Sequence, residues 1–361
     1  MIFTYGTSLQ GDMHIARNEP GQDAHRIECL SNGWVIAAVA DGVGSAKFSQ
    51  FGSRIAVDTL VEFCIENMPF NGTSTITRED IFALLRIGYF KAFKNIWALS
   101  VAENNPFSSY DTTLDVVIYN GNTLIYGHCS DGGIIVLGDD GSYVAITERM
   151  KGDDGESMIP LRFTSEWKFG SYNFPVSAVL MFTDGVYDTV NQVYLEKNWT
   201  TSMYVNILRN FADTNVLFPE RLDDENEFRN QIDDFMSQSF WKAVSDDKTV
   251  VVLLNAEKES GVVPDCGYYA EPDWDQMEEQ LKQRLYGLSS SKKENGKSDI
   301  VVDNKKDSKK SDKQSEKKKS LNNNQINESA DESKLNQTND EELLQDTRME
   351  RRKKKSKGKH K

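Results

Sequence analysis

The sequence predicts an α+β protein: a central sandwich of two mostly antiparallel β-sheets flanked by pairs of helices, followed by a disordered C-terminal tail. Three observations carry this. Short runs rich in valine and isoleucine recur between hairpin-type turns, two long segments have helical spacing, and the composition changes abruptly near residue 288. With 361 residues and 38% apolar content, the chain can bury a sizeable core before that point.

Strands are expected at 34–40, 114–119, 123–128, 134–137, 143–147, 176–182 and 250–254, with a further one around Ile27. Asn120-Gly121-Asn122 and Asp139-Asp140-Gly141 lie between neighbouring runs, which favours antiparallel hairpins over parallel crossovers. Ile55, Leu60, Phe63 and Cys64 share a stripe of a helix over about 50–67, and Ile81, Leu84, Leu85, Phe90, Phe93 and Trp97 share one over about 78–103. Further helices are expected between 194 and 244, with 225–244 the clearest. The segment 149–167, with Gly152, Asp153, Asp154 and Gly155, reads as a loop that either overlies a site or merely connects two elements.

Beyond residue 288 aromatics almost vanish and Lys, Ser, Asn, Asp and Glu dominate, a composition too polar to offset its own ordering entropy. Residues 291–361 hold 21 Lys and Arg against 14 Asp and Glu, a surplus of +7. The formal −14 of the whole chain therefore leaves −21 to the first 290 residues. A field of that sign repels nucleic acid and anionic lipid and favours divalent cations. The tail, most basic from Arg351 to Lys361, is read as a flexible tether rather than a nucleic-acid arm, because both signs of charge are mixed before that point.

The N-terminus has neither a basic start nor the apolar stretch of a signal peptide, and no window approaches a membrane span, so a soluble, cytoplasmic protein is expected. Cys29, Cys64, Cys129 and Cys266 are far apart and form no Cys-x-x-Cys pair, which argues against a zinc site or a disulfide framework. His128-Cys129 reads as a packed pair in the core. No Gly-x-Ser-x-Gly elbow and no Gly-x-x-x-x-Gly-Lys-Ser/Thr loop is present, so serine hydrolase and nucleoside-triphosphatase machinery have no visible basis.

Four aspartates stand at the edges of buried-looking strands. Asp23 precedes the strand around Ile27, Asp41 closes WVIAAVA, Asp184 closes AVLMFT, and Asp246 opens the run into VVVLL. Singly, each has a plain explanation as a turn or cap residue. Together they permit carboxylates from distant parts of the chain to meet at one edge, where like charges about 4 Å apart repel by about 4 kcal/mol per pair at an effective dielectric of 20. Such a cluster needs cations, and hard oxygen ligands suit Mg²⁺ or Mn²⁺. Glycines after Asp41 and Asp184 are expected to let the backbone approach an ion closely. Two ions would activate water for in-line attack on phosphorus.

These motifs, in this order from about residue 5 to 256, resemble the metal-dependent protein phosphatase family known as protein phosphatase 2C, in its bacterial-type form. The resemblance implies metal-dependent hydrolysis of phosphoserine and phosphothreonine in proteins by a metal-activated water. It implies a catalytic domain over 1–257, a partly helical extension over 258–287 and the tail over 288–361. The metal residues it implies are Asp23, Asp41, Gly42, Asp184 and Asp246, holding two Mg²⁺ or Mn²⁺ ions, with Asp131 of Ser130-Asp131-Gly132 as the candidate for a weaker third site. The partners implied are phosphorylated proteins and a signalling pathway with a cognate serine/threonine kinase.

The sequence departs from that family at several points. The family's phosphate-binding arginine lies five residues before the first metal aspartate; here Arg17 is six residues ahead with Pro20-Gly21 intervening, and His14 or Arg17 is the candidate for the role. Val43 stands where eukaryotic members have a histidine, which implies leaving-group protonation by metal-bound water. Gln22 replaces a glutamate, removing a negative charge that neighbouring Asp247 is expected to restore in part. Two other readings stay open: a catalytically weak phosphatase-fold binding or sensing module, and a small-molecule phosphohydrolase.

Overall fold

The computed structural model describes residues 1–68, 77–152, 157–192, 203–217, 224–276 and 279. All lie in the unit Met1–Ser291. In chain order the elements are β1 (Ile2–Leu9), α1 (Asp12–Arg17), β2 (Ala24–Cys29), β3 (Val35–Ala40), α2 (Ser49–Asn67), α3 (Arg78–Ala102), β4 (Leu114–Tyr119), β5 (Leu124–Cys129), β6 (Gly133–Gly138), β7 (Tyr143–Ala145), β8 (Lys168–Tyr172), β9 (Val176–Phe182), α4 (Asp184–Val190), α5 (Val205–Ala212), α6 (Thr214–Leu217), α7 (Glu225–Met236) and β10 (Lys248–Asn255).

The strands form two five-stranded sheets, ordered β1-β10-β9-β6-β7 and β2-β3-β4-β5-β8, with antiparallel neighbours throughout. Between the sheets lie Val35, Ala37, Val39, Val117, Val179, Met181, Val251 and Leu253. The alternate residues face outward: Ile36, Ala38, Ala40 and Val116 meet α2 and α3, whereas Ala178, Leu180, Phe182, Val250 and Val252 meet the helices α4 to α7. Both faces of the central strands are therefore buried, which is why WVIAAVA and TVVVLL read as continuous apolar runs instead of alternating ones. Burying each Val, Ile or Leu side chain contributes about 1.5–3 kcal/mol.

β1 and β8 were not anticipated, and both are edge strands. Edge strands bury less and so carry weaker apolar signals: β8 is KFGSY with no fully buried residue. The expected helix over 225–244 ends at Met236, followed by a separate 3₁₀ turn, Ser239–Ala243. Ser237 Oγ donates back to Asp233 O at 2.7 Å, a bond that competes with helix continuation. In the extension, Cys266–Tyr269 forms a 3₁₀ turn, and the Tyr268 hydroxyl accepts from Tyr143 N at 2.7 Å. The tail over 288–361 and the expected helix start at 194 lie outside the described residues.

Antiparallel pairing places the acidic positions. Ala24 pairs with Ala40, so Asp23 and Asp41 flank one hairpin's open end. Phe182 pairs with both Val250 and Gly133, which brings the chain after β9, the chain before β10 and the β5–β6 turn to the same end of the sandwich.

Candidate metal centre

Asp41, Asp131 and Asp184 each bring one carboxylate oxygen within 4.8 Å of the others. Asp23 lies close enough to Asp41 for their charges to repel, and Asp246 does the same to Asp184. Of the five acidic residues expected at the site, three therefore share one cluster, and Asp23 and Asp246 lie near enough to act on it through their charge.

The surrounding chain holds these side chains in place. Thr183 Oγ1 donates to Asp23 Oδ2 at 2.8 Å and itself accepts from Thr249 N at 3.1 Å, tying β2 to the ends of β9 and β10. Asp41 N donates to Thr113 Oγ1 at 2.8 Å, and its carbonyl accepts from Thr113 N and Thr112 Oγ1, each at 2.8 Å. A Cβ at Gly185 would stand 2.0 Å from Asp247 O, and one at Gly132 would stand 2.3 Å from Phe182 O. The glycine after Asp184 is therefore required by a close crossing of two protein segments. Gly42 is buried, and a Cβ there would meet Ser49 Cβ at 2.8 Å and Gln22 O at 2.9 Å.

The cluster resists full ionisation. Burial pushes the Asp23 carboxyl up to about 7 despite hydrogen bonds from Thr249 and Thr183, and the charge of Asp247 adds to the rise. Asp41 is raised well above the usual carboxylate range, first by burial and then by repulsion from Asp23, Asp184 and Asp131. Burial, with Asp131 and Asp246 behind it, raises Asp184 to about 6. Asp23 Oδ1 and Asp131 Oδ1 are buried without a hydrogen-bond partner. Orphaned carboxylate oxygens at a crowded acidic edge fit a set of hard cations, so the residues present match the donor chemistry of Mg²⁺ or Mn²⁺.

His14 is placed elsewhere. Only 4% exposed, it puts Nδ1 2.9 Å from Asp247 Oδ1, so its partner is that carboxylate and it does not present itself to a phosphate at the surface. Asp247 also accepts from Gly11 N at 2.6 Å and Gln22 N at 2.5 Å. It is a clamp on the chain that leads to Asp23, and its charge reaches the cluster only through space. Arg17 is exposed in the last turn of α1.

Two features escaped the sequence reading. Lys151 Nζ lies 2.6 Å from Asp131 Oδ2, and nothing short of the fold places a lysine of the 149–167 segment there. The described residues of that segment are firmly attached: Arg149 pairs with Asp188 and lies 4.8 Å over the Tyr187 ring, and Arg162 Nε lies 2.9 Å from Asp111 Oδ1. Residues 153–156 lie outside the described set. The second feature is Thr183, whose hydroxyl is the direct partner of Asp23.

His128 is a core residue, as its apolar strand suggested, at 2% exposure. Nδ1 is 2.8 Å from Asp115 Oδ1 and Nε2 is 2.7 Å from Glu148 O. Cys29, Cys64 and Cys129 are free thiols. Among the described residues no helix is long and apolar enough to cross a membrane.

The model of the family described as protein phosphatase 2C matches residues 10–235. Among solved structures, a bacterial serine phosphatase is similar with a TM-score of 0.50 at 13% identity, over 73% of this chain and 100% of that one. The serine/threonine phosphatase Stp1 from Staphylococcus aureus gives 0.48 at 14% identity, over 71% of this chain and 95% of that one. The serine/threonine phosphatase of S. agalactiae gives 0.48 at 14% identity, over 70% and 99%. No curated protein matches the chain.

Proposed function

Because the chain belongs to the protein phosphatase 2C family, we propose that it is a metal-dependent phosphatase acting on phosphoserine and phosphothreonine in proteins. The observation that carries this is the meeting of Asp23, Asp41, Asp131, Asp184 and Asp246 at one end of the sandwich, with buried carboxylate oxygens left unpaired.

In this reading Asp23, Asp41, the Gly42 carbonyl, Asp184 and Asp246 hold two Mg²⁺ or Mn²⁺ ions. Such ions would supply Lewis-acid activation of water and neutralise charge developing on a phosphoryl group. The chain's own contribution is to hold the donors ready. Thr183, itself held by the Thr249 N–H, orients Asp23, Thr112 and Thr113 fix the backbone at Asp41, and the clamp through Asp247 keeps the approach to Asp23 in register. Arg17, exposed at the end of α1, is the group that would meet the substrate phosphate, since His14 is engaged by Asp247. We take 1–257 as the catalytic domain, 258–287 as an extension that lays Tyr268 on it, and 288–361 as a tail. A cytoplasmic location and an opposing serine/threonine kinase complete the proposal.

The test is phosphate release from a phosphothreonine peptide and from p-nitrophenyl phosphate by the purified chain. Release with Mn²⁺ that EDTA stops is expected. A folded, Mn²⁺-binding protein that releases none would be a sensing module, and activity confined to free phosphometabolites would make it a small-molecule phosphohydrolase.

A further inference from the structure

The Lys151–Asp131 pair is unlike the surface ion pairs of this protein. Asp131 has a side chain only 4% exposed, one oxygen bonded to Lys151 Nζ at 2.6 Å and the other, Oδ1, buried without a partner. The lysine is delivered by a fixed backbone. Met150 N donates to Ser130 O at 3.0 Å, Lys151 bridges to Met158, and Gly152 N donates to Ser157 O at 2.7 Å. Two residues before Met150, Glu148 O is held by His128 Nε2 at 2.7 Å, and the Met150 side chain is buried in the core beneath α2 and α3. The ammonium is thus brought to the carboxylate edge by contacts that do not depend on the ion pair itself.

Charge bookkeeping gives this placement a meaning. Fully ionised, Asp23, Asp41, Asp131, Asp184 and Asp246 carry −5. Two dications supply +4 and leave one negative charge, and a single ammonium cancels it. We propose that Lys151 is a built-in monovalent cation that occupies the place of a third metal ion at Asp131, so that the centre fills with two ions and no more. This rests on the two-metal reading given above. Lys151 is on this view a positioning and charge-balancing residue, holding Asp131 at the edge of the cluster by one oxygen while the other stays without a hydrogen-bond partner. A lysine suits the task because its ammonium is a compact point charge with three donors, whereas a free third dication would overcharge the site.

Titration calorimetry of the full chain with Mn²⁺ tests it. Wild type is expected to take up two ions per chain, Lys151→Arg two, and Lys151→Met three, the additional one more weakly. The double variant Lys151→Met with Asp131→Asn is expected to return to two, which assigns the extra ion to Asp131 and not to acidic groups elsewhere. A thermal melt in EDTA checks that Lys151→Met is folded. Three ions in wild type, or two in a folded Lys151→Met protein, would overturn the inference while leaving the metal phosphatase reading intact. So would a rise in KM for a phosphothreonine peptide in Lys151→Met with the ion count still at two, since the lysine would then be a substrate contact. Wild type that takes up no Mn²⁺ would remove the two-metal reading itself, and the lysine's role with it.

Discussion

The protein buries aspartates in two neighbouring places and treats them in opposite ways. Asp115, with no exposed surface, gives Oδ1 to His128 Nδ1 at 2.8 Å and to Cys129 N at 3.2 Å. Both ring nitrogens of His128 face acceptors, a carboxylate and a carbonyl, an arrangement that favours the doubly protonated ring. Burial alone would lower its pKa, but the charge and hydrogen bond of Asp115 raise it above the ordinary histidine value. At the end of the same sandwich, Asp41 and Asp184 face one another with Asp23 coupled to Asp41, and among the described residues the cation paired beside them is Lys151, on Asp131. A buried acid with its own cation serves the fold, whereas buried acids that face each other store repulsion for an external cation to relieve.

The sharpest way to break this comparison is to neutralise one acid in each region. Asp41→Asn or Asp184→Asn is expected to lower peptide hydrolysis by more than about 100-fold, beyond what support residues of metal sites cost. The same variants should melt no lower than wild type in EDTA, because a repelling charge is gone. His128→Ala should do the reverse. It leaves Asp115 buried and unpaired and is expected to cost about 3–5 kcal/mol in urea denaturation. Equal loss of stability in both sets would erase the distinction.

The pH dependence of stability sharpens it further. Asp23 and Asp184 have folded-state values of about 7 and about 6, above the 3.8 of an unperturbed aspartate, so between pH 4 and 7 the metal-free folded chain binds more protons than the unfolded one. Stability must then fall as pH rises through that window. In EDTA a drop of roughly 5 °C in Tm from pH 5 to pH 7.5 is expected for a domain of this size, and Mn²⁺ should flatten it. The smallest expected effect is at the rim. Arg17→Ala should raise KM for a phosphopeptide by about fivefold with little change in kcat, the worth of one exposed charge contact of about 1 kcal/mol.

Much of this site was legible without coordinates. The positions of Asp23, Asp41, Asp184 and Asp246 at strand edges are local features, and the strands themselves are marked by apolar runs between turns. His14 was misjudged because its neighbour in space, Asp247, is 233 residues away and its burial has no local signature. The edge strands β1 and β8 were missed for a related cause, since strands buried on few sides need few apolar residues.

Local pattern by itself determined eight of the ten strands, the two long helices α2 and α3, and which acids sit at strand ends, because these depend on neighbours a few residues apart. Only the tertiary structure decided which acids are paired with a cation and which are left facing each other. Whether a carboxylate finds His128, a backbone N–H, Lys151 or another carboxylate is set by antiparallel registers that bring residues from five strand ends to one edge, and electrostatic energy depends on that separation in space, not on separation along the chain.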